Sequence, residues 1–249
     1  MFLYDLAFKH HPEWFSLSFQ KTYNLLIPLS IKNCKALITD SNYVKQDIIK
    51  SYRFSSNKIT VVYAAPSLIF KDKGLEKENI ILMVSSLDPR KNMKRVIEAY
   101  LQLNIPHKLI IVGAKGTAFS DLNIEDNFDS SRVVFSGYLE DDELVNLYNK
   151  ADLFVYASLF EGFGIPPLEA QVCGTPCLVS NVTSLPEVYG KSVAYCDPYD
   201  VNDIKFKIDA ILSSSKKRKA LKEAGFINAK KYNWDTAATT VIQTIKNIC

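Results

Sequence analysis

From Ile80 onward the chain alternates short apolar runs with helical stretches, and this pattern narrows the fold more than any other feature. Residues 80–84, Ile-Ile-Leu-Met-Val, are apolar without interruption, as expected for a strand buried on both faces. Further strand-like runs follow at Lys108–Val112, 132–135, 152–156, 176–179 and 192–195. Helical segments separate or follow them at 93–103, 140–150, Val201–Leu212, 216–231 and 236–248. Such alternation is the signature of an α/β doubly wound parallel sheet, which binds ligands outside the C-terminal ends of its strands. The first 79 residues are less regular. Residues 2–4 form a short strand ending at Asp5, and an amphipathic helix follows His10-His11-Pro12 through about Ile31. A strand at 36–39 leads to Asp40-Ser41-Asn42, a good helix cap, and to a helix over 43–52. A strand at 58–63 and a linking stretch at 64–79 complete this part. With 249 residues, the chain can form one large or two small domains.

Residues 158–180 lie between two of the strand-like runs. Glu161-Gly162-Phe163-Gly164 is a short glycine-flanked loop, and Pro166-Pro167 suit the first turn of a helix. Gly174 stands where that helix would end in a left-handed residue. Strand, glycine loop and helix N-terminus together offer free N–H groups and a positive dipole end to an anion. Glu161 and Glu169 flank this cradle as acceptors for hydroxyl groups. Hydroxyls on either side of phosphates describe a nucleotide sugar. A plain surface loop with a capping Glu161 and a solvated Glu169 fits the same spacing. Arg90 and Lys91 follow the apolar run at 80–84. Cations at a helix start oppose its dipole, so this pair points instead to a diphosphate, gripped by the Arg fork and the Lys charge.

Composition excludes several classes. Hydrophobic content of 47% and charged content of 23% are those of an ordinary globular domain. A formal net charge of +3 does not argue for nucleic acid, but it suits an anionic ligand or loose contact with an acidic membrane surface. Five scattered cysteines without a Cys-x-x-Cys pair read as reduced thiols, so a cytoplasmic location is expected. Three histidines offer no metal site; His10 and His11 read as flanking a helix, and Cys173 and Cys177 as small core residues. The cluster Lys216-Lys217-Arg218-Lys219 reads as a solvated helix face, with membrane contact as the minority reading.

The segment from Glu161 to Glu169 resembles the Glu-x7-Glu signature of retaining GT-B glycosyltransferases of family 4, the glycosyl transferases group 1. Leu87-Asp88-Pro89-Arg90-Lys91-Asn92 resembles that family's diphosphate-binding motif. Asp5-Leu6, Thr39-Asp40-Ser41 and Val61-Val62-Tyr63-Ala64-Ala65 resemble further family segments in the same order. Tyr4 departs from the usual histidine, and Ala64-Ala65 from the usual Asn-Gly. The resemblance implies two Rossmann-like domains. Here it implies one complete donor domain at 79–234, the C-terminal remnant of an acceptor-side domain at 1–65, and a linker at 66–78. The helix at 235–249 would cross back to the N-terminal part. The implied catalytic residues are Glu161, Arg90 and Lys91. The implied donor-binding residues are Glu169, Gly162, Phe163, Gly164, Ile165, Leu168, Gly137, Tyr138 and Ser86, with Gly137-Tyr138 near the base and Ser86 at a phosphate. No Asp-x-Asp metal motif is present, so neither a metal nor another cofactor is expected beyond the nucleotide-diphosphate sugar.

The resemblance implies sugar transfer with retention to a glycan or lipid-linked acceptor, on the inner side of the membrane, in building a surface polysaccharide such as lipopolysaccharide. A nucleotide-sugar-binding module that needs an N-terminal domain or a partner chain is the alternative. A sugar-nucleotide epimerase is a third, which the Arg90-Lys91 and Glu161/Glu169 set speaks against. An incomplete N-terminal part would expose a sheet edge and apolar surface, and so favour self-association or a partner chain.

Overall fold

In the computed structural model, residues 1–85, 88–113 and 131–248 are described. Ser86, which the resemblance places at a phosphate, lies outside them. Elements are numbered in chain order over the described residues.

The larger part is a parallel sheet of six strands: β3 (Glu78–Val84), β4 (Lys108–Val112), β5 (Val133–Gly137), β6 (Ala151–Tyr156), β7 (Cys177–Ser180) and β8 (Ala194–Cys196). Their spatial order is β5-β4-β3-β6-β7-β8. The order therefore reverses between β3 and β6, and the crevice beyond their C-terminal ends is where such sheets hold ligands. Ile81, Leu82, Leu153, Phe154 and Val155 on these two central strands are fully buried, because helices cover both faces. One core layer places α4 (Met93–Leu101) and α8 (Val201–Leu212) against Ile81, Leu153 and Val155. The other packs α5 (Asp141–Lys150), α6 (Pro166–Val172) and α7 (Leu185–Tyr189) against Leu82, Phe154 and Tyr156. The helix read at 201–212 matches α8, whereas α7 was not read as a helix. Glu140 and Glu143 form a reciprocal capping box at the start of α5. Gly174 takes φ +75 just after α6, as a left-handed helix end requires.

The smaller part contains α1 (Ala7–His10), α2 (Leu17–Asn33), β1 (Leu37–Thr39), α3 (Asn42–Tyr52) and β2 (Ile59–Val61). Strands β1 and β2 pair in parallel, and Phe2 bridges Ile38 on the other side of β1. Ser41, rather than Asp40, caps α3 by accepting from the Val44 N–H at 3.2 Å. The helix expected to be amphipathic is α2, but of its residues only Ile31 is buried. Leu17, Leu25, Leu26 and Leu29 point outward, because its apolar residues do not form a single stripe toward β1 and α3. The segment between β2 and β3 is anchored rather than loose. Phe70 is buried edge-on to Tyr148, and the Lys73 N–H donates to Asn149 Oδ1 at 2.6 Å.

Helices α9 (Ser215–Ala229) and α10 (Trp234–Lys246) close the chain. Helix α10 returns to the smaller part, where Thr244 Oγ1 meets Thr60 Oγ1 at 3.3 Å and Trp234 Nε1 donates to Pro66 O at 3.2 Å. Among the described residues no helix is long and apolar enough to cross a membrane.

Candidate functional site

A cleft of about 820 Å³ lies where the two parts meet, bordered by Lys91, Tyr156 and residues 161–166 on one side and by Tyr4, Asp5, Thr39, Asp40 and Tyr63 on the other. Its position follows from topology. Lys91 sits beyond the end of β3 and Glu161 beyond the end of β6, the two strands that flank the reversal.

The turn after β3 is built by two residues. Asp88 accepts from the Arg90 N–H at 2.9 Å and starts the 3-10 turn Pro89–Lys91. Asn92 then adopts φ +57, and its side-chain amide donates to Ala157 O at 2.9 Å and Pro198 O at 2.7 Å. This fastens the loops after β3, β6 and β8 to one another. The Arg90 carbonyl also accepts from the Leu159 N–H at 2.7 Å.

On that frame Lys91 Nζ donates to Glu161 Oε1 at 2.7 Å and to the Tyr156 hydroxyl at 3.0 Å. The Tyr156 hydroxyl donates to the same Glu161 oxygen at 2.7 Å. Arg90 is held by Asp88 at 2.6 Å and, across the cleft, by Asp5 at 3.4 Å. Burial alone would raise the Asp88 carboxyl, but hydrogen bonds and charge from Arg90 outweigh it and the net shift is downward. The two cations predicted from sequence thus sit together with Glu161, each already paired with a carboxylate.

The glycine loop is shaped by what touches it. A Cβ on Gly162 would lie 2.0 Å from the Tyr4 carbonyl oxygen, so only glycine allows the smaller part to approach there. Ser41 Oγ donates to Gly162 O at 2.6 Å. Gly164 has φ +83, and its carbonyl accepts from the Tyr189 hydroxyl. Among the described residues, the N–H groups of Gly162, Phe163, Gly164 and Ile165 have no acceptor, which leaves them free for an anion.

These elements match a known family. The profile described as "Glycosyl transferases group 1" covers residues 67–227. The chain belongs to this family. O-antigen chain mannosyltransferase B of Escherichia coli is 30% identical over 235 residues, 87% of this chain and 62% of its own length. O-antigen chain mannosyltransferase RfbU of Salmonella typhimurium is 35% identical over 206 residues, 80% of this chain and 56% of its own length. The chain thus spans about three fifths of these two relatives. HepE of Anabaena, solved in complex with UDP-glucose, superposes with a TM-score of 0.80 at 19% identity, over 99% of this chain and 71% of that one. The fold is therefore GT-B, as the sequence led us to expect.

Within the family segment the remaining site residues lie away from the Lys91–Glu161 pair. Glu169, on α6, accepts from the Tyr148 hydroxyl at 3.0 Å. Burial pushes its carboxyl up to about 7, and Asp141 adds to the rise. Leu168 is fully buried in the core, and its N–H donates to Ile165 O at 2.8 Å, so its side chain is structural. Gly137 ends β5 with φ +74 and accepts from the Gly113 N–H at 3.0 Å, and Tyr138 after it is 73% exposed. Cys173 and Cys177 are buried free thiols, both pushed up by burial. His10 bonds Asp47 at 2.8 Å.

Sequence reasoning missed Asp5, Tyr156 and Glu187. Glu187 accepts from the Asn42 and Tyr63 side chains and from the backbone N–H groups of Asn42 and Tyr43, at 2.8 to 3.1 Å. It thereby ties α7 to the start of α3. Its place within Leu-Pro-Glu-Val was visible, but not its partner 144 residues away.

Proposed function

We propose that this chain binds a nucleotide-diphosphate sugar in the cleft and transfers its hexose, with retention and without a metal, to a hydroxyl of a glycan or lipid-linked acceptor. The observation that carries this reading is the Lys91–Glu161–Tyr156 cluster, with Arg90 beside it, at the strand-order reversal. Lys91, Arg90 and the free N–H groups of the 162–165 loop face the diphosphate. Glu161 accepts from hydroxyls of the donor sugar, and Glu169 from those of the ribose. The bond between the anomeric carbon and phosphate oxygen breaks, and the nucleoside diphosphate leaves with the electron pair. The acceptor oxygen bonds to that carbon from the same face, and its proton passes to a phosphate oxygen. Charge growing on the leaving phosphate is met by fixed donors, each worth about 3 kcal/mol. The names of the two O-antigen mannosyltransferases support mannose as a donor sugar and an O-antigen-type polysaccharide as the product.

Calorimetric titration with UDP-, GDP-, ADP- and dTDP-sugars in the presence of a chelator tests this. Binding to one base family is expected. Arg90→Ala should weaken diphosphate ligands about tenfold or more, and Glu169→Ala should weaken the nucleotide sugar and the nucleoside monophosphate alike. Equal affinity of wild type and both variants for every ligand overturns the site assignment. A second reading is favoured by the outward Leu side chains of α2: a donor-binding unit that turns over only when a partner or second copy covers that face. Donor binding with no transfer product supports it.

A further inference from the structure

Helix α7 touches both banks of the cleft, and the residues that lead into it hold the loop that carries Glu161. Thr183, at φ +54, accepts from the Glu161 N–H through Oγ1 at 3.2 Å. Ser184, fully buried, donates from Oγ to Glu161 O at 3.0 Å. The two residues before α7 therefore fix both main-chain polar groups of Glu161. Within α7, Leu185 packs against Gly164, where an added Cβ would lie 2.8 Å from its Cδ2, and the Tyr189 hydroxyl donates to Gly164 O. The loop from Glu161 to Gly164 is thus seated on α7 at both ends.

The outer side of the same helix grips the smaller part. Glu187 lies at the exposed rim of the joint. Its carboxylate accepts from the backbone N–H groups of Asn42 and Tyr43 at 2.8 and 2.9 Å, from Asn42 Nδ2 at 3.1 Å and from the Tyr63 hydroxyl at 2.9 Å. A carboxylate at a helix N-terminus meets unpaired N–H groups and the positive end of the dipole, so this contact favours a docked α3. Ser41 adds to it by donating to Gly162 O at 2.6 Å. Leu185 and Pro186 alone separate Ser184 from Glu187, and Pro186 restricts the backbone between them. A shift of α3 against Glu187 is therefore carried to Thr183 and Ser184 with little slack.

We propose that α7 couples the docking of α3 to the placement of Glu161, with Glu187 sensing the smaller part and Thr183 and Ser184 acting as positioning residues. This rests on the transferase reading of the cleft and adds a control to it. Glu161 takes its place for the donor sugar when the two parts are docked, and loses that placement when Glu187 is released.

The test is amide hydrogen exchange of the full chain, followed by NMR, together with calorimetry. Glu187→Gln keeps the size of the side chain but replaces one acceptor oxygen by an N–H donor. It should speed exchange of the Glu161 amide several-fold, although the bonds it disturbs lie on α3 and Tyr63, while the Phe154 amide in the central strand exchanges as in wild type. Glu187→Ala should act in the same direction. Thr183→Val removes the acceptor for the Glu161 amide and should speed its exchange too. The double variant Thr183→Val/Glu187→Gln should exchange no faster there than Thr183→Val alone, since both changes act through one bond. GDP-mannose or UDP-glucose should bind Glu187→Gln several-fold more weakly than wild type, with GDP and UDP unchanged, because on the transferase reading Glu161 meets only the sugar. A merely structural role would weaken sugar nucleotide and nucleoside diphosphate alike, and that result overturns the proposal. It is also overturned if Glu187→Gln speeds the amides of Asn42 and Tyr43 but not that of Glu161, if Glu161 and Phe154 quicken equally, or if the two single effects multiply in the double variant. Faster Glu161 exchange in Glu187→Gln, in a chain whose wild type binds no nucleotide sugar, would strike the transferase reading and leave the coupling standing.

Discussion

The part built on β3 to β8 and the part built on β1 and β2 bury their apolar side chains very differently. In the former, two helix layers enclose a sheet whose central residues are inaccessible to solvent. In the latter, strands of three residues carry a smaller core, and Leu17, Leu25, Leu26 and Leu29 of α2 face outward. The joint between them is rich in polar contacts: Glu187 on the start of α3, Ser41 on Gly162, and Arg90 on Asp5. Such a joint resembles a transient interface more than a core, and relative movement of the two parts is the default expectation. The cleft residues are therefore divided between a rigid bank and a lighter one.

The contrast is broken or sharpened most strongly by core substitutions. Phe154→Ala, on the central strand β6, should cost about 3–5 kcal/mol in urea denaturation, while Leu26→Ala, at a side chain 51% exposed, should stay within about 0.5 kcal/mol. Comparable losses would mean that the outward face of α2 is covered in solution. A smaller effect is expected at the joint. Gly162→Ala places a methyl 2.0 Å from the Tyr4 carbonyl and should cost about 1–3 kcal/mol, with faster amide exchange concentrated in residues 2–8. Unchanged exchange there would show that the two banks are not held this closely.

The smallest effect is the pH dependence. The carboxyls of Asp40 and Glu169 are both raised to about 7, chiefly by burial. Between their ordinary values and about 7 the native state holds protons that the unfolded chain has released. Stability from these groups is therefore complete at low pH and falls as pH rises toward 7. Relative to wild type, Asp40→Leu and Glu169→Gln should gain melting temperature across that interval, by about 2–4 °C each. A constant offset from pH 4.5 to 8 would contradict the raised carboxyls.

The same contrast explains what the sequence revealed. Helix α8 was legible to the residue, and β3 nearly so, because uninterrupted apolar runs and regular alternation have few other solutions. Arg90, Lys91 and Glu161 were legible as a set, since each follows a buried strand. Helix α7 was not, because five residues with a proline at the second position carry no period. Asp40 was hidden by a local explanation, as Asp-Ser-Asn reads as a cap and only the folded chain shows that Ser41 does that work. The Asp5–Arg90 contact spans 85 residues, and no local pattern encodes it. For α2, composition promised an inward face that the arrangement of its residues does not provide.

The pairing of Lys91 with Glu161 and of Arg90 with Asp88 has a consequence for ligand choice. Both cations carry their own counter-ions within the chain, so a free inorganic anion must displace a carboxylate and leaves that carboxylate without its partner. On the proposed function, a nucleotide sugar would bring a diphosphate for the cations and hydroxyls for the released Glu161 in one molecule. Under the proposed function the two pairs would therefore act as a filter, disfavouring free phosphate and favouring a ligand that offers partners to both charges.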